Sequence, residues 1–197
     1  SVTFKILLGI MRQDKGEVSV SGTPISKLPV HIRASQFNLG YIPQNESVFS
    51  GLTTAQNLQA IGEIVIKNQE QRQTVIENLL SEFALNDVKN VLAKNLSGGS
   101  RKKLVIARAL INKPKLLICD EIFSAIDPKT IETIKEIIIK LQKKGISILI
   151  SDHAFENVLQ VADKVYIISE GQIVSSGKPQ DIVKDHQARK TYFGDTY

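Results

Sequence analysis

The chain carries almost no sulfur and little aromatic surface. Cys119 is the single cysteine in 197 residues, there is one methionine and no tryptophan, and aromatic residues make up 6%. One thiol excludes an intrachain disulfide framework and fits a reducing compartment. No apolar run approaches the length that crosses a bilayer, and no stretch reads as a signal peptide. A large excess of one charge is missing too. The formal net charge is +5, which an ordinary solvated surface carries. Without interleaved aromatic and basic residues, the chain does not read as a nucleic-acid binder. Internal repeats and low-complexity linkers are also absent.

What is present suits a packed core. Hydrophobic residues make up 42% and charged residues 23%, enough for one domain, or one domain with a lobe. Ser1 to Gly9, SVTFKILLG, reads as the middle of a buried helix, with Phe4, Ile6, Leu7 and Leu8 apolar. No cap or turn precedes it, so a piece upstream of Ser1 is expected. A short strand from Glu17 to Ser21 and a turn at Gly22 to Pro24 follow. A second strand, LGYIPQ, ends near Gln44. Thr53 to Phe83 has helical texture, with Val75, Leu79 and Phe83 at four-residue spacing beside Ile76 and Leu80.

A helix from Ser100 to Asn112 comes next, stopped by Asn112-Lys113-Pro114. Leu116 to Cys119 is a continuous apolar run of the kind buried on both faces of a parallel sheet. A helix from Pro128 to Lys144 turns Ile131, Ile134, Ile138 and Leu141 inward, and Gly145 is its expected left-handed cap. Ile146 to Ile150 is another buried strand, and a helix then runs to about Val161. Lys164 to Ser169 and Gln172 to Ser175 flank Glu170-Gly171 as a hairpin. This alternation predicts an α/β fold: a mostly parallel sheet flanked by helices, a helical lobe over 53–113, and a small antiparallel part.

Ligands of open α/β sheets gather beyond the carboxyl ends of the strands. Three strand ends here are polar: Gln44, Asp120-Glu121 and His153. Alone, Gln44 reads as a surface glutamine and His153 as a hydrogen-bonded structural histidine. Adjacent acids at a buried strand end repel each other, and a metal ion plus a water in need of a base relieves that repulsion.

The stretch NLSGGSRKKLVIARAL (95–110) opens a helix badly. Gly98-Gly99 are poor helix formers, and Arg101-Lys102-Lys103 oppose the helix dipole. An anion changes the balance. Free amides and the positive end of the dipole face it, no side chain at 98 or 99 blocks its approach, and Ser97 caps the helix.

Together, LSGGS at Leu96 to Ser100, LLICDE at Leu116 to Glu121, SAID at Ser124 to Asp127, and a later strand ending in His153 resemble the ATP-binding-cassette ATPases. The resemblance spans the whole chain, taken as one cassette domain truncated at its N-terminus. It implies ATP and Mg²⁺ as cofactors. Asp120 would hold the metal through water, Glu121 would polarise the attacking water, and His153 would contact the γ-phosphate. Gln44 would touch the metal and sense a transport partner. Ser97, Gly98, Gly99 and Asp127 would bind nucleotide, the signature residues facing a nucleotide held by a second copy in a head-to-tail dimer. The family's P-loop ends Gly-Lys-[Ser/Thr], and Ser1 fits its final hydroxyl, a direct metal ligand. The glycines and lysine would precede residue 1, so this piece alone is expected to bind ATP weakly or not at all. Ser100 stands where the family usually has Gln or Glu, and Ile122 where Pro is common.

Leu28 to Thr53, DEIFSAIDP, Ser151 to Pro179 and the tail RKTYFGDTY are similar to the lipopolysaccharide-export branch. That branch implies a peripheral place on the cytoplasmic face of the bacterial inner membrane, docked on integral-membrane subunits near Gln44 and Phe49. Val48 and Leu52 lie near Phe49, which reads equally as core between lobes. The branched-chain amino-acid importers, whose tails are related, remain an alternative, as does an inactive cassette fragment lacking the P-loop.

Overall fold

The computed structural model describes residues 1–45 and 47–185. The tail RKTYFGDTY, one carrier of the branch resemblance, lies outside them. The described residues fall into two compact units, one Ser1–His153 and the other beginning at Ala154.

The first unit is built on three parallel strands in the order β3 (Leu39–Ile42), β4 (Leu116–Asp120), β5 (Ser147–Ser151). Helix α1 (Val2–Leu8) lies on one face. Its Phe4 and Leu8 are buried with Ile118 of β4, and Tyr41, Leu116 and Leu149 pack against that cluster. The apolar side chains of α1 recur at helical spacing, so its inner stripe finds the sheet. Gly9 closes the helix at φ +80°, as a left-handed cap. The guanidinium of Arg33, in α2 (Val30–Gln36), fills the space where a Cβ on Gly9 would stand. Buried Arg33 donates to the carbonyls of Ile6, Leu7, Ser26 and Leu28 at 2.7–2.8 Å. Burial lowers its pKa.

The helical lobe departs from the expected continuous pattern. Thr53 to Phe83 forms two helices, α3 (Thr54–Val65) and α4 (Gln69–Glu82). The break is local chemistry: Asn68 leaves helical geometry and its side chain caps the amide of Gln71, starting a new helix. Thr53 and Gln56 form a reciprocal capping box on α3. Two 3₁₀ turns, Asn86–Val88 and Ala93–Asn95, lead into α5 (Gly98–Leu110). It starts two residues earlier than the sequence pattern predicts, because Ser97 is the N-cap and both glycines are helical.

Helix α6 (Pro128–Lys143) begins at the Asp127 cap with Pro128 at its first position, where a missing N–H costs nothing. It ends in a paired motif, Gly145 N–H to Gln142 and Ile146 N–H to Leu141, with Gly145 at φ +84° as expected. Ile134, Ile138 and Leu141 are buried; Ile134→Ala would cost about 2–5 kcal/mol. Strands β1 (Ser19–Val20) and β2 (Thr23–Pro24) pair antiparallel. The turn is Ser21-Gly22, φ +50° and +78°, rather than Gly22 to Pro24. Two positive φ values in a two-residue loop match the strand twist.

The second unit holds α7 (Phe155–Val161), β6 (Val165–Ser169), β7 (Gln172–Gly177) and α8 (Pro179–Ile182). The expected hairpin is present, with Glu170 and Gly171 both at positive φ. Val165, Ile167 and Ile182 form its core, with Phe155, Leu159, Ala162 and Val174 against them.

Candidate functional site

Strand register delivers the polar strand ends to one edge. Ile42, Cys119 and Ile150 are direct neighbours across the sheet. Gln44 lies two residues beyond Ile42, Glu121 two beyond Cys119, and His153 three beyond Ile150. Gln44, an exposed side chain, reaches this edge through β3.

Asp120 sits at 2% exposure. The Tyr41 hydroxyl donates to its Oδ2 at 3.5 Å. Burial raises the pKa of Tyr41, and the adjacent Asp120 charge and hydrogen bond add to that. Oδ1 of Asp120 accepts no hydrogen bond, and the main-chain nitrogen of Ser1 stands 3.8 Å from it. A buried carboxylate oxygen without a donor is expensive unless something cationic meets it. The structure thus brings Ser1 and Asp120 together.

Glu121 extends the β4–β5 ladder by one bond, its N–H donating to Ser151 at 2.6 Å, and then turns sharply with φ +54°. An L-residue held in the left-handed region stores about 1–3 kcal/mol of strain, and such residues cluster at functional sites. The turn is braced from the residue just past β5: Asp152 Oδ2 accepts from the Phe123 N–H at 2.8 Å. The side chain of Glu121 meets His153 Nε2 at 3.5 Å and accepts from the Ser124 hydroxyl at 3.3 Å. His153 is itself 84% exposed. That exposure makes the contact weak as a source of stability. Most of the imidazole surface is open to solvent.

A second group forms around the opening of α5. Ser97 accepts from the Ser100 N–H at 3.2 Å, and the two hydroxyls lie 3.1 Å apart. Gly98 is exposed, its φ is not positive, and a Cβ there would meet nothing within 4 Å. Among the described residues nothing stands against a side chain at 98, and the surface there is bare. At Gly99 an added Cβ would come within 2.7 Å of Thr130 Oγ1. Arg101 and Lys102 are engaged within the chain rather than offered to an anion. Arg101 donates to the carbonyls of Lys94 and Leu96 at 3.3 Å, and Lys102 is buried. Asp127 caps α6, accepting from the Thr130 N–H at 3.0 Å and the Thr130 hydroxyl at 2.6 Å. These bonds lower its pKa, the hydroxyl first.

A model of the ABC transporter family matches residues 1–124. The chain belongs to the ABC transporter family.

The lipopolysaccharide export system ATP-binding protein LptB of Haemophilus influenzae is 37% identical over 198 residues, covering all of this cassette and 82% of that protein. The protein of the same description from Escherichia coli K12 is 35% identical with the same coverage. Among solved structures, a nucleotide-free ATP-binding cassette from an ABC transporter superposes with TM-score 0.85 at 23% identity, covering 98% of this chain and 83% of that one. The dimeric structure of a post-hydrolysis ATP-binding cassette bound to ADP and phosphate gives TM-score 0.79 at 21% identity, covering 90% and 79%. At these identities the solved structures establish the fold of the cassette. The expected α/β architecture with its parallel sheet is thereby confirmed.

The donor set suits Mg²⁺. No cluster of three or more His, Cys, Asp or Glu that could hold a metal exists among the described residues. Mg²⁺ does not need one, because it is commonly held by one carboxylate, a hydroxyl, waters and substrate phosphate. Asp120 Oδ1, buried and without a donor, is the carboxylate oxygen that fits such a site. A concavity of about 860 Å³, lined by Asn68, Gln69, Glu70, Gln73 and Thr74, contains none of these groups.

Near Gln44 the loop is organised by a side chain the sequence pattern does not flag. Asn57, fully buried in α3, accepts from the Phe49 N–H at 2.9 Å and donates to the carbonyls of Phe49, Leu52 and Thr53 at 3.0–3.2 Å. Phe49 is 43% exposed, with the Arg108 guanidinium 4.5 Å from its ring centroid. Arg108 also donates to the Ser47 carbonyl, and burial lowers its pKa.

Proposed function

We propose that this chain is the ATP-hydrolysing subunit of an ABC transporter that powers lipopolysaccharide export. It works as a head-to-tail dimer docked on integral-membrane subunits at the cytoplasmic face of the inner membrane. The observation that carries the reading is the meeting of Ser1, Asp120, Glu121 and His153 at one sheet edge. The names of the full-length relatives support the cargo over the branched-chain amino-acid alternative.

In this reading Asp120, Ser1 and Gln44 hold Mg²⁺, which when bound neutralises charge on the transferred phosphoryl group. Glu121, on its strained turn after β4, orients and polarises the attacking water. His153, held against Glu121, offers a donor to the terminal phosphate. Ser97 and the amides of Gly98 and Gly99, with Asp127, form the other half-site and close over the nucleotide of the opposite copy. Two groups of contacts in one chain, each incomplete alone, fit two composite sites in a dimer. Phe49, aromatic and still accessible, is the contact for the membrane subunits.

The test is ATP turnover by the protein expressed from its complete gene. The parent hydrolyses ATP, and Glu121→Gln loses at least ~100-fold in kcat, the low end of a general base's contribution. Equal rates would remove the catalytic assignment. For the cargo, the gene should restore growth to cells depleted of the Escherichia coli relative when supplied with its own membrane subunits. Failure with a verified assembled complex would redirect the cargo.

A further inference from the structure

The most informative contact outside the assigned machinery joins its two loops. Thr130, half-buried in the first turn of α6, uses its hydroxyl to donate to Asp127 Oδ2 at 2.6 Å. The same Oγ1 lies 2.7 Å from the place a Cβ on Gly99 would occupy, and Cγ2 lies 3.3 Å from it. One small β-branched side chain is therefore wedged between the start of α5 and the cap of α6. A threonine has few χ1 choices in a helix. Rotating this one breaks the bond to Asp127, and moving Gly99 towards α6 forces that rotation. Asp127 is itself held from two sides, Oδ1 by the Thr130 N–H and Oδ2 by the hydroxyl.

We propose that Thr130 is a positioning residue that locks the Gly98–Gly99 amides and the Asp127 carboxylate into one rigid unit, so that both approach the opposite copy's nucleotide together. The inference rests on the dimeric ATPase reading above. It adds a residue that touches no nucleotide and is invisible to motif matching. It also explains a division of labour between the glycines. Gly98 has open space and is free for a ligand, whereas Gly99 is glycine because Thr130 stands against it.

Thr130→Val keeps the branched shape and the N–H bond to Asp127 and exchanges the hydroxyl for a methyl group. In the protein expressed from its complete gene, kcat should fall about tenfold, a barrier change near 1.4 kcal/mol, while KM for ATP stays within about twofold. Thr130→Ser, which restores the hydroxyl, should return kcat to within about twofold of the parent. A purely structural cap would move the melting temperature without this kcat-selective, hydroxyl-dependent pattern. A Thr130→Val protein with parental kcat overturns the proposal. A second measurement is independent of hydrolysis: the Gly98 and Gly99 amide resonances should shift in Thr130→Val and return in Thr130→Ser. If they do not move, the lock is refuted whatever the turnover. A parent protein without ATPase activity would strike the functional reading, and the amide resonances would still decide the lock.

Discussion

Glu121 Oε1 stands 3.5 Å from His153 Nε2, and the backbone of Glu121 is in the left-handed region at φ +54°. The two residues come from adjacent strand ends, and the turn at Glu121 that follows β4 is conformationally costly. A position selected only for stability would hold glycine here.

Glu121→Gly therefore separates stability from chemistry. Relief of the positive φ should raise the melting temperature, by an amount equivalent to about 1 kcal/mol, while hydrolysis is lost. A fall in melting temperature would show that the Glu121 side-chain contacts outweigh the strain.

Gly98→Ala tests the bare surface. No atom lies within 4 Å of the added methyl and φ is permissive, so the fold should tolerate it. Alanine is the better helix former by up to about 1 kcal/mol in a helix interior. Turnover should nonetheless fall at least ~10-fold, because the methyl stands where the nucleotide would approach. Parental turnover would show that nothing approaches Gly98.

Asp127 gives a pH signature. Its folded pKa lies below the ordinary 3.8 because Thr130 hydrogen-bonds the ionised form. A depressed acid contributes stability that is fully present above the ordinary value and is lost as pH falls through the folded one. The melting-temperature gap between the parent and Asp127→Ala should thus be constant above about pH 5 and shrink below about pH 4. A gap that widens on acidification contradicts the cap.

Cys119 is fully buried, and burial pushes its thiol up to about 12, with the Lys102 charge opposing. A thiol this hard to ionise is a poor nucleophile. A thiol reagent at pH 8 should leave the folded protein unlabelled and modify it once denatured. Rapid labelling of the native protein would contradict its burial.

The parts legible in the sequence are those that local pattern encodes. Leu116 to Cys119 announces a buried strand by apolarity alone, and Gly145 announces a cap. Gly98-Gly99 stands out because it breaks the rule for a helix start. The parts not legible are long-range contacts of ordinary residues. Nothing near Thr130 in sequence reveals that Gly99, 31 positions away, lies against it. Asn57 reads as one polar residue on an amphipathic helix, yet it makes four bonds to the loop behind Gln44. The helix break at Asn68 is hidden because the run from Lys67 to Thr74 is wholly polar and gives no apolar period to interrupt. The positive φ of Glu121 has no signal in composition, since the residue is there for its carboxylate.

Arg33 binds carbonyls from two separated stretches, at Ile6 and Leu7 and at Ser26 and Leu28. These stretches share one cation, so neither can fray without abandoning it in a poorly solvated place. Amide exchange across α1 and residues 25–33 should accordingly follow a single opening event, with one common protection factor, instead of a gradient along the chain.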